Sequence, residues 1–306
     1  MVSQKILQSC YHKTDEFIRE DLVKLLLIIG LFGFVFVVSW LIQETAPLFG
    51  LSLNLLAKSG AGQIALYSVG LLSVYLFTRY IWKRPLGPPF QLYWINCRVA
   101  LRGLVIFYGI AAASVIALYI VCLLVGSAEW TGKFWTRLTL PNGMSIAFGF
   151  LASLVVAASE ELIFRGFSFR YLLGNGGKWV TASAVVVSAL LFALVHNFRD
   201  PLVWLTIDEL PLLIGLTLLG IVLALTYLAT GNLACSVGLH GGLLAVHDVI
   251  LERTSAIALV QSSWWMGSDN DIRTASIAWL FLALLAVTIW YFGPWFRQRY
   301  KVETLV

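Results

Sequence analysis

Over its 306 residues this chain repeatedly runs for about 20 positions with almost no charge, the length an α-helix needs to cross a bilayer. A soluble domain does not carry many such runs. Only 12% of the residues are charged, against about 25% in ordinary soluble domains, and 59% are hydrophobic. The mean hydropathy is +0.86. Lipid offers no hydrogen bonds, so the backbone polar groups of each run must be satisfied within the run, which makes it helical. The sequence therefore predicts an all-α, polytopic transmembrane helical bundle of about eight spans. They fall near 23–43, 62–82, 101–125, 145–172, 180–198, 211–230, 233–251 and 275–296.

Basic residues are spread unevenly between the runs. Arg79, Lys83, Arg84, Arg98 and Arg102 flank the second connection, Arg165, Arg170 and Lys178 the fourth, and Arg297, Arg299 and Lys301 follow the last run. The alternate connections hold fewer. Lys and Arg favour the cytoplasmic side, so both termini are expected in the cytoplasm. The first run is too long for a signal-peptide core and reads as a retained helix. Cys10, Cys97, Cys122 and Cys235 lack metal-ligand spacing and read as structural thiols. A net charge of +5 in such a chain reports orientation, and no nucleic-acid partner is expected. The chain divides into an arm with three helices (1–140), a core (141–252), and a last loop, helix and tail (253–306).

An ionisable group deep in a bilayer is costly and needs a reason. Here such groups concentrate in three runs: Glu160, Glu161 and Arg165 in "EELIFR", His196 in "FALVH", and His240, His247 and Asp248 in "HGGLLAVHD". Glu161 and Arg165 are four apart and share a helical face, so they can pair. Glu160 is turned about 100° from Glu161, out of easy reach of the same arginine. Phe192 and His196 share another face. Gly241 and Gly242 follow His240 directly and admit a close neighbouring helix. His247 lies roughly 10 Å further along the axis, too far to join one site with His240 in a straight helix. It and Asp248 read as structural or hydrated groups near the outer boundary. Counted at 1.5 Å per residue from the cytoplasmic turns, Glu160, His196 and His240 straddle the bilayer middle but spread over about 13 Å.

Two carboxylates and two imidazoles around a wet cavity can activate water. A glutamate in a low-dielectric site becomes a base near neutral pH, and imidazoles orient water or stabilise negative charge. Glu160, His196 and His240 also suit a divalent metal such as zinc. The H-E-x-x-H helix is absent, and both a metal-bound and a metal-free site stay open.

In their order, Glu160-Glu161-x-x-x-Arg165, Phe192-x-x-x-His196 and His240-x-x-x-Leu244 resemble the CPBP family of intramembrane proteases. That family includes the type II CAAX prenyl endopeptidases and bacterial bacteriocin-processing and immunity proteins. The resemblance covers roughly residues 145–250. It implies an intramembrane endopeptidase acting on a membrane-associated protein or peptide, integral to the cell membrane of a bacterium. Glu160 would activate water and His196 would position it. Glu161 would support the site through Arg165, and His240 would bind water or the oxyanion. The third motif departs from the family, where Asn stands in place of Leu244. Leucine cannot donate a hydrogen bond. That departure keeps a non-catalytic scaffold or immunity protein as a competing expectation. A proton-coupled transporter is a third, weakened by the lack of repeats and of matched broken helices.

Overall fold

The computed structural model describes residues 97–137, 140–173, 177–197, 206–260 and 271–300, with isolated positions elsewhere. The runs expected at 23–43 and 62–82 lie outside the described residues.

Eight α-helices follow within the described residues. They are α1 (Cys97–Leu124), α2 (Lys133–Arg137), α3 (Leu140–Glu161), α4 (Arg170–Leu173), α5 (Lys178–Leu194), α6 (Leu210–Thr230), α7 (Leu233–Leu244) and α8 (Ser276–Tyr300). Among the described residues, four helical stretches are long and apolar enough to cross a membrane: Cys97–Leu124, Ile146–Leu173, Leu210–Thr230 and Ser276–Tyr300. Lys178–Leu194 and Leu233–His247 are apolar but shorter. The molecule is thus mostly helical and an integral membrane protein, with its six described runs close to the expected places.

The structure departs from that expectation in two ways. First, the chain is not wholly α-helical: β1 (Ala128–Trp130) pairs antiparallel with β2 (Ile257–Leu259), Glu129 opposite Ala258. This small sheet ties the connection after α1 to the segment before α8. Second, two runs change helical geometry midway. The α3 run becomes a π-helix over Leu162–Phe169, immediately after the glutamate pair, and the α7 run does so over Ala245–Glu252. π-Helical turns are rare and concentrate at functional sites.

The short helix α7 is the centre of the packing. Every residue from Leu233 to Gly242 is buried. A helix enclosed by protein need not match the bilayer thickness, which is why 12 residues suffice. Its sequence suits this place. Gly231 takes the left-handed conformation that ends α6, its N–H donating to the Tyr227 carbonyl at 2.8 Å. Asn232 then caps α7, its Oδ1 accepting from the Ala234 N–H at 3.0 Å. On one face of α7, a Cβ at Gly238 or Gly242 would run into the backbone carbonyls of Leu104 and Tyr108, so α1 lies directly against it. Gly241 faces α3, where a Cβ would sit 3.0 Å from Leu154. Around this axis, Phe107, Phe164, Phe192, Leu216 and Leu239 build one apolar cluster. Val115, Cys122, Val246 and Ile272 belong to a second.

Candidate functional site

Glu161 is the last residue of α3 and is fully buried, as is Arg165. A buried carboxylate needs hydrogen-bond donors, and Glu161 has three. Arg165 Nη1 donates to Oε1 at 2.9 Å, His240 Nδ1 donates to the same oxygen at 3.1 Å, and Ser236 Oγ donates to Oε2 at 2.5 Å. Arg165 Nη2 donates to the Gly220 carbonyl at 2.9 Å. That bond ties the π-helical segment to α6, which also packs closely on α5: a Cβ at Gly220 would sit 2.8 Å from Ala189 Cα. Ser236 and His240 are four apart on α7, so both meet Glu161 from one helical face. Ser236 carried no motif, and its polarity in an otherwise apolar helix was the one available signal for it.

Glu160 faces elsewhere. Its side chain is 15% exposed, and its Oε2 lies 3.8 Å from His240 Nε2. That separation is beyond a direct hydrogen bond. His240 therefore stands between the two glutamates, its Nδ1 edge fixed by Glu161 and its Nε2 edge turned toward Glu160. The carbonyl-bonded Nδ1 of His196 fixes a second ring: it donates to the Phe192 carbonyl at 2.7 Å, which leaves Nε2 as the acceptor. His196 lies in a 3₁₀ turn (Val195–Asn197) after α5. It lies within electrostatic reach of Glu160 and His240.

Phe192 connects the parts. Its ring receives the Arg165 guanidinium at 4.7 Å from the centroid and packs edge-on with His196 at 4.8 Å and His240 at 5.7 Å. Cation–π attraction of this kind is stronger where water is excluded. The spacing of Phe192 and His196 thus has a physical sense: one ring seats both imidazoles and the arginine.

The structure brings Glu160, Glu161, Arg165 and His240 into one cluster, with His196 joined to it through Phe192. Glu160 and His240 meet despite the depth spread expected from straight helices. The metal expectation does not fit as well. Among the described residues, no three His, Cys, Asp or Glu side chains are grouped to hold a metal ion. The Nδ1 atoms of His240 and His196 donate to protein oxygens, so Nε2 is the nitrogen by which either ring would meet an ion.

A second feature adjoins the cluster. A cavity of about 110 Å³ is lined mainly by apolar side chains, among them Val115, Leu216, Leu219 and Leu244, and by His240, His247 and Arg273. His240 thus borders both the carboxylate cluster and the cavity. His247 was expected to stand apart from His240, but it lines the same cavity. The π-helical segment that begins at Ala245 lies between Leu244 and His247, so the straight-helix argument does not carry through it.

Residues 142–246 match the family model described as Rce1-like, type II CAAX prenyl endopeptidase. The match contains Glu160, Glu161, Arg165, His196, His240 and Leu244. No curated protein and no solved structure matches this chain.

Proposed function

We propose, from the match of residues 142–246 to the Rce1-like family model, that this chain is an intramembrane endopeptidase of the CPBP family. It hydrolyses a peptide bond of a membrane-associated protein or peptide with water activated by Glu160. The observation that carries this reading is His240 held by Glu161 on one edge and turned toward Glu160 on the other.

Each residue then has a chemical task. Glu160 takes a proton from water while the remaining hydroxide attacks the carbonyl carbon. His196, with its Nδ1 proton given to Phe192, offers Nε2 to accept the water's other proton in a hydrogen bond and so aims its lone pair. His240 donates to the developing oxyanion only with a proton on Nε2 as well as Nδ1. The Glu161 carboxylate on Nδ1 fixes the orientation of that ring, as a buried carboxylate does for a catalytic histidine. As the C–N bond breaks, Glu160 returns its proton to the leaving amine. Arg165 and Ser236 hold Glu161 in place. No step is routed through a metal.

From the charge bias of its loops we propose eight spans with both termini cytoplasmic, and from the family resemblance a place in the cell membrane of a bacterium. We assign catalysis to the core at 141–252, between the 1–140 and 253–306 segments.

The test is cleavage of a membrane-peptide library and of a prenylated CAAX peptide by purified wild type, Glu160→Ala and His196→Ala. Cleavage by wild type that both substitutions abolish is the expected result. Activity that survives both sinks the assignment. Leu244 favours a second reading, a relative that binds a peptide in the same cavity without cutting it. Peptide binding without cleavage by wild type would select that reading.

A further inference from the structure

The sheet of β1 and β2 has no part in the catalytic scheme, but its hydrogen bonds leave one row of main-chain groups unused. Along a strand, N–H and C=O groups point alternately to one side and the other. The Val260 N–H donates to the Ser127 carbonyl at 3.1 Å, and the Thr131 N–H to the Ala256 carbonyl at 3.0 Å. With Glu129 opposite Ala258, these bonds turn Ala256, Ala258 and Val260 toward β1. Ile257 and Leu259 therefore direct their main-chain groups away from it. The sheet has two strands, so among the described residues no third strand meets those groups. β1 also packs against α1, whereas β2 has no comparable neighbour besides β1 among the described elements. Ile257, Ala258 and Leu259 are half-buried. A row of unpaired donors and acceptors at a sheet edge is a template for one more strand.

The chemistry that matches this edge is the main chain of an extended peptide. A helical segment has already spent its N–H and C=O groups on its own bonds. The sheet also shares a wall with the candidate site. Ala128 belongs to the second apolar cluster, and Ile257 and Leu259 pack against that cluster. Val115, Leu118 and Ile272 of the same cluster line the cavity that His240 borders. Ala128 stands opposite Leu259, so their side chains share the sheet face that rests on the cluster. A strand added beside β2 would lay every second side chain on that face.

We propose that the outer edge of β2 binds the substrate by strand addition, with the main chain of an extended peptide pairing with Ile257 and Leu259. This rests on the protease reading above and states the form in which its substrate is received: an unfolded segment, held by its main chain, with apolar residues at alternate positions. A contact made equally to substrate and transition state lowers KM and leaves kcat alone. The β2 edge should behave in that way, unlike Glu160.

The probe is the member of the membrane-peptide library best retained by Glu160→Gln protein in detergent, remade with one N-methyl group at each position in turn. Its Kd is measured by anisotropy in the Glu160→Gln background, and its KM by cleavage in the wild-type background. Leu259→Pro removes the outward N–H and none of the bonds to β1, a place where an edge strand tolerates proline. Leu259→Ala keeps that N–H and serves as its control, with thermal unfolding to report folding. Leu259→Pro should raise Kd and KM about tenfold, the loss of one hydrogen bond, with kcat nearly unchanged. Leu259→Ala should stay close to wild type. N-methylation should weaken binding at every second position over a short stretch, because a strand's main chain faces its neighbour with a period of two. That scan uses native β2 and decides alone if Leu259→Pro fails to fold. Unchanged Kd in Leu259→Pro, an equal loss in Leu259→Ala, or an N-methyl pattern without the period of two overturns this proposal, and cleavage by wild type then leaves the protease reading standing. The alternating pattern in a wild type that cuts no library member upholds strand addition and sinks the protease reading. Absence of both binding and cleavage overturns both.

Discussion

Arg165–Glu161 and Arg273–Asp271 are both arginine–carboxylate pairs, and they are built very differently. Arg165 and Glu161 are both fully buried, 2.9 Å apart. Arg273 and Asp271 pair more closely, at 2.7 Å, yet the arginine is 49% exposed and the aspartate 23%. The shorter contact is the less consequential one. Water screens the exposed pair and competes for its hydrogen bonds, so such a pair contributes little. Around the buried pair water is replaced by Ser236, His240, the Gly220 carbonyl and the Phe192 ring. Removing one member there leaves a charge with nowhere to go. Burial, more than distance, decides what an ion pair does.

The sharpest way to break this comparison is Arg165→Met. It should destabilise the protein by about 3–5 kcal/mol, the usual consequence of leaving a buried charge unpaired. Unfolding in detergent measures the loss. Adding Glu161→Gln should recover part of it, since the stranded charge is then gone. Equal destabilisation in the single and double variants would mean that packing on Phe192 matters more than charge.

Glu160 tests the other side of the same helix turn. Glu160→Gln should reduce the cleavage rate by about 10²–10⁴-fold, the range for losing a general base, while the unfolding midpoint barely moves. A large stability loss instead would make Glu160 a structural residue like its neighbour. Leu244→Asn is a smaller effect in the opposite direction. Giving the cavity a donor beside His240 should raise kcat by about tenfold, below the full 10²–10³ of an optimised oxyanion donor. A variant with lower kcat would show that the apolar wall, and not a missing donor, suits this substrate.

The exposed pair should give the smallest change. Burial works to raise the Asp271 carboxyl, but the hydrogen bonds and charge of Arg273 prevail and hold it below its ordinary value of 3.8. A depressed carboxylate stabilises the fold above its unfolded value, and that contribution is lost as pH falls through the lowered folded value. Asp271→Asn should therefore cost at most about 1 kcal/mol near neutral pH. It should make the amide protection factors at Ile272–Thr274 insensitive to acidification below 3.8. A stability loss as large as that of Arg165→Met would end the distinction drawn between the two pairs.

Much of the molecule was legible from its residues. The apolar runs at 101–125 and 211–230 nearly coincide with α1 and α6, because a helix in lipid announces itself by length and hydrophobicity alone. The Glu161–Arg165 pairing followed from four-residue spacing, which survives the passage from α- to π-helix. The small sheet did not: three-residue strands have no pattern to read, and their pairing joins segments more than a hundred residues apart. Ser236 was hidden for a similar reason, since nothing local marks which serine in an apolar helix faces a carboxylate on another helix.

The sequence by itself determined that this chain lives in a membrane, which runs become helices, and which few ionisable residues need an explanation. These follow from periodicity and from the cost of burying charge, both local properties. Tertiary structure alone decided that His240 stands between Glu160 and Glu161. It alone set His247 on the same cavity as His240. Those outcomes depend on how closely α7 approaches α1 and α3 at Gly238, Gly241 and Gly242, and on where two helices change their winding. Neither is written in the spacing of residues along one helix.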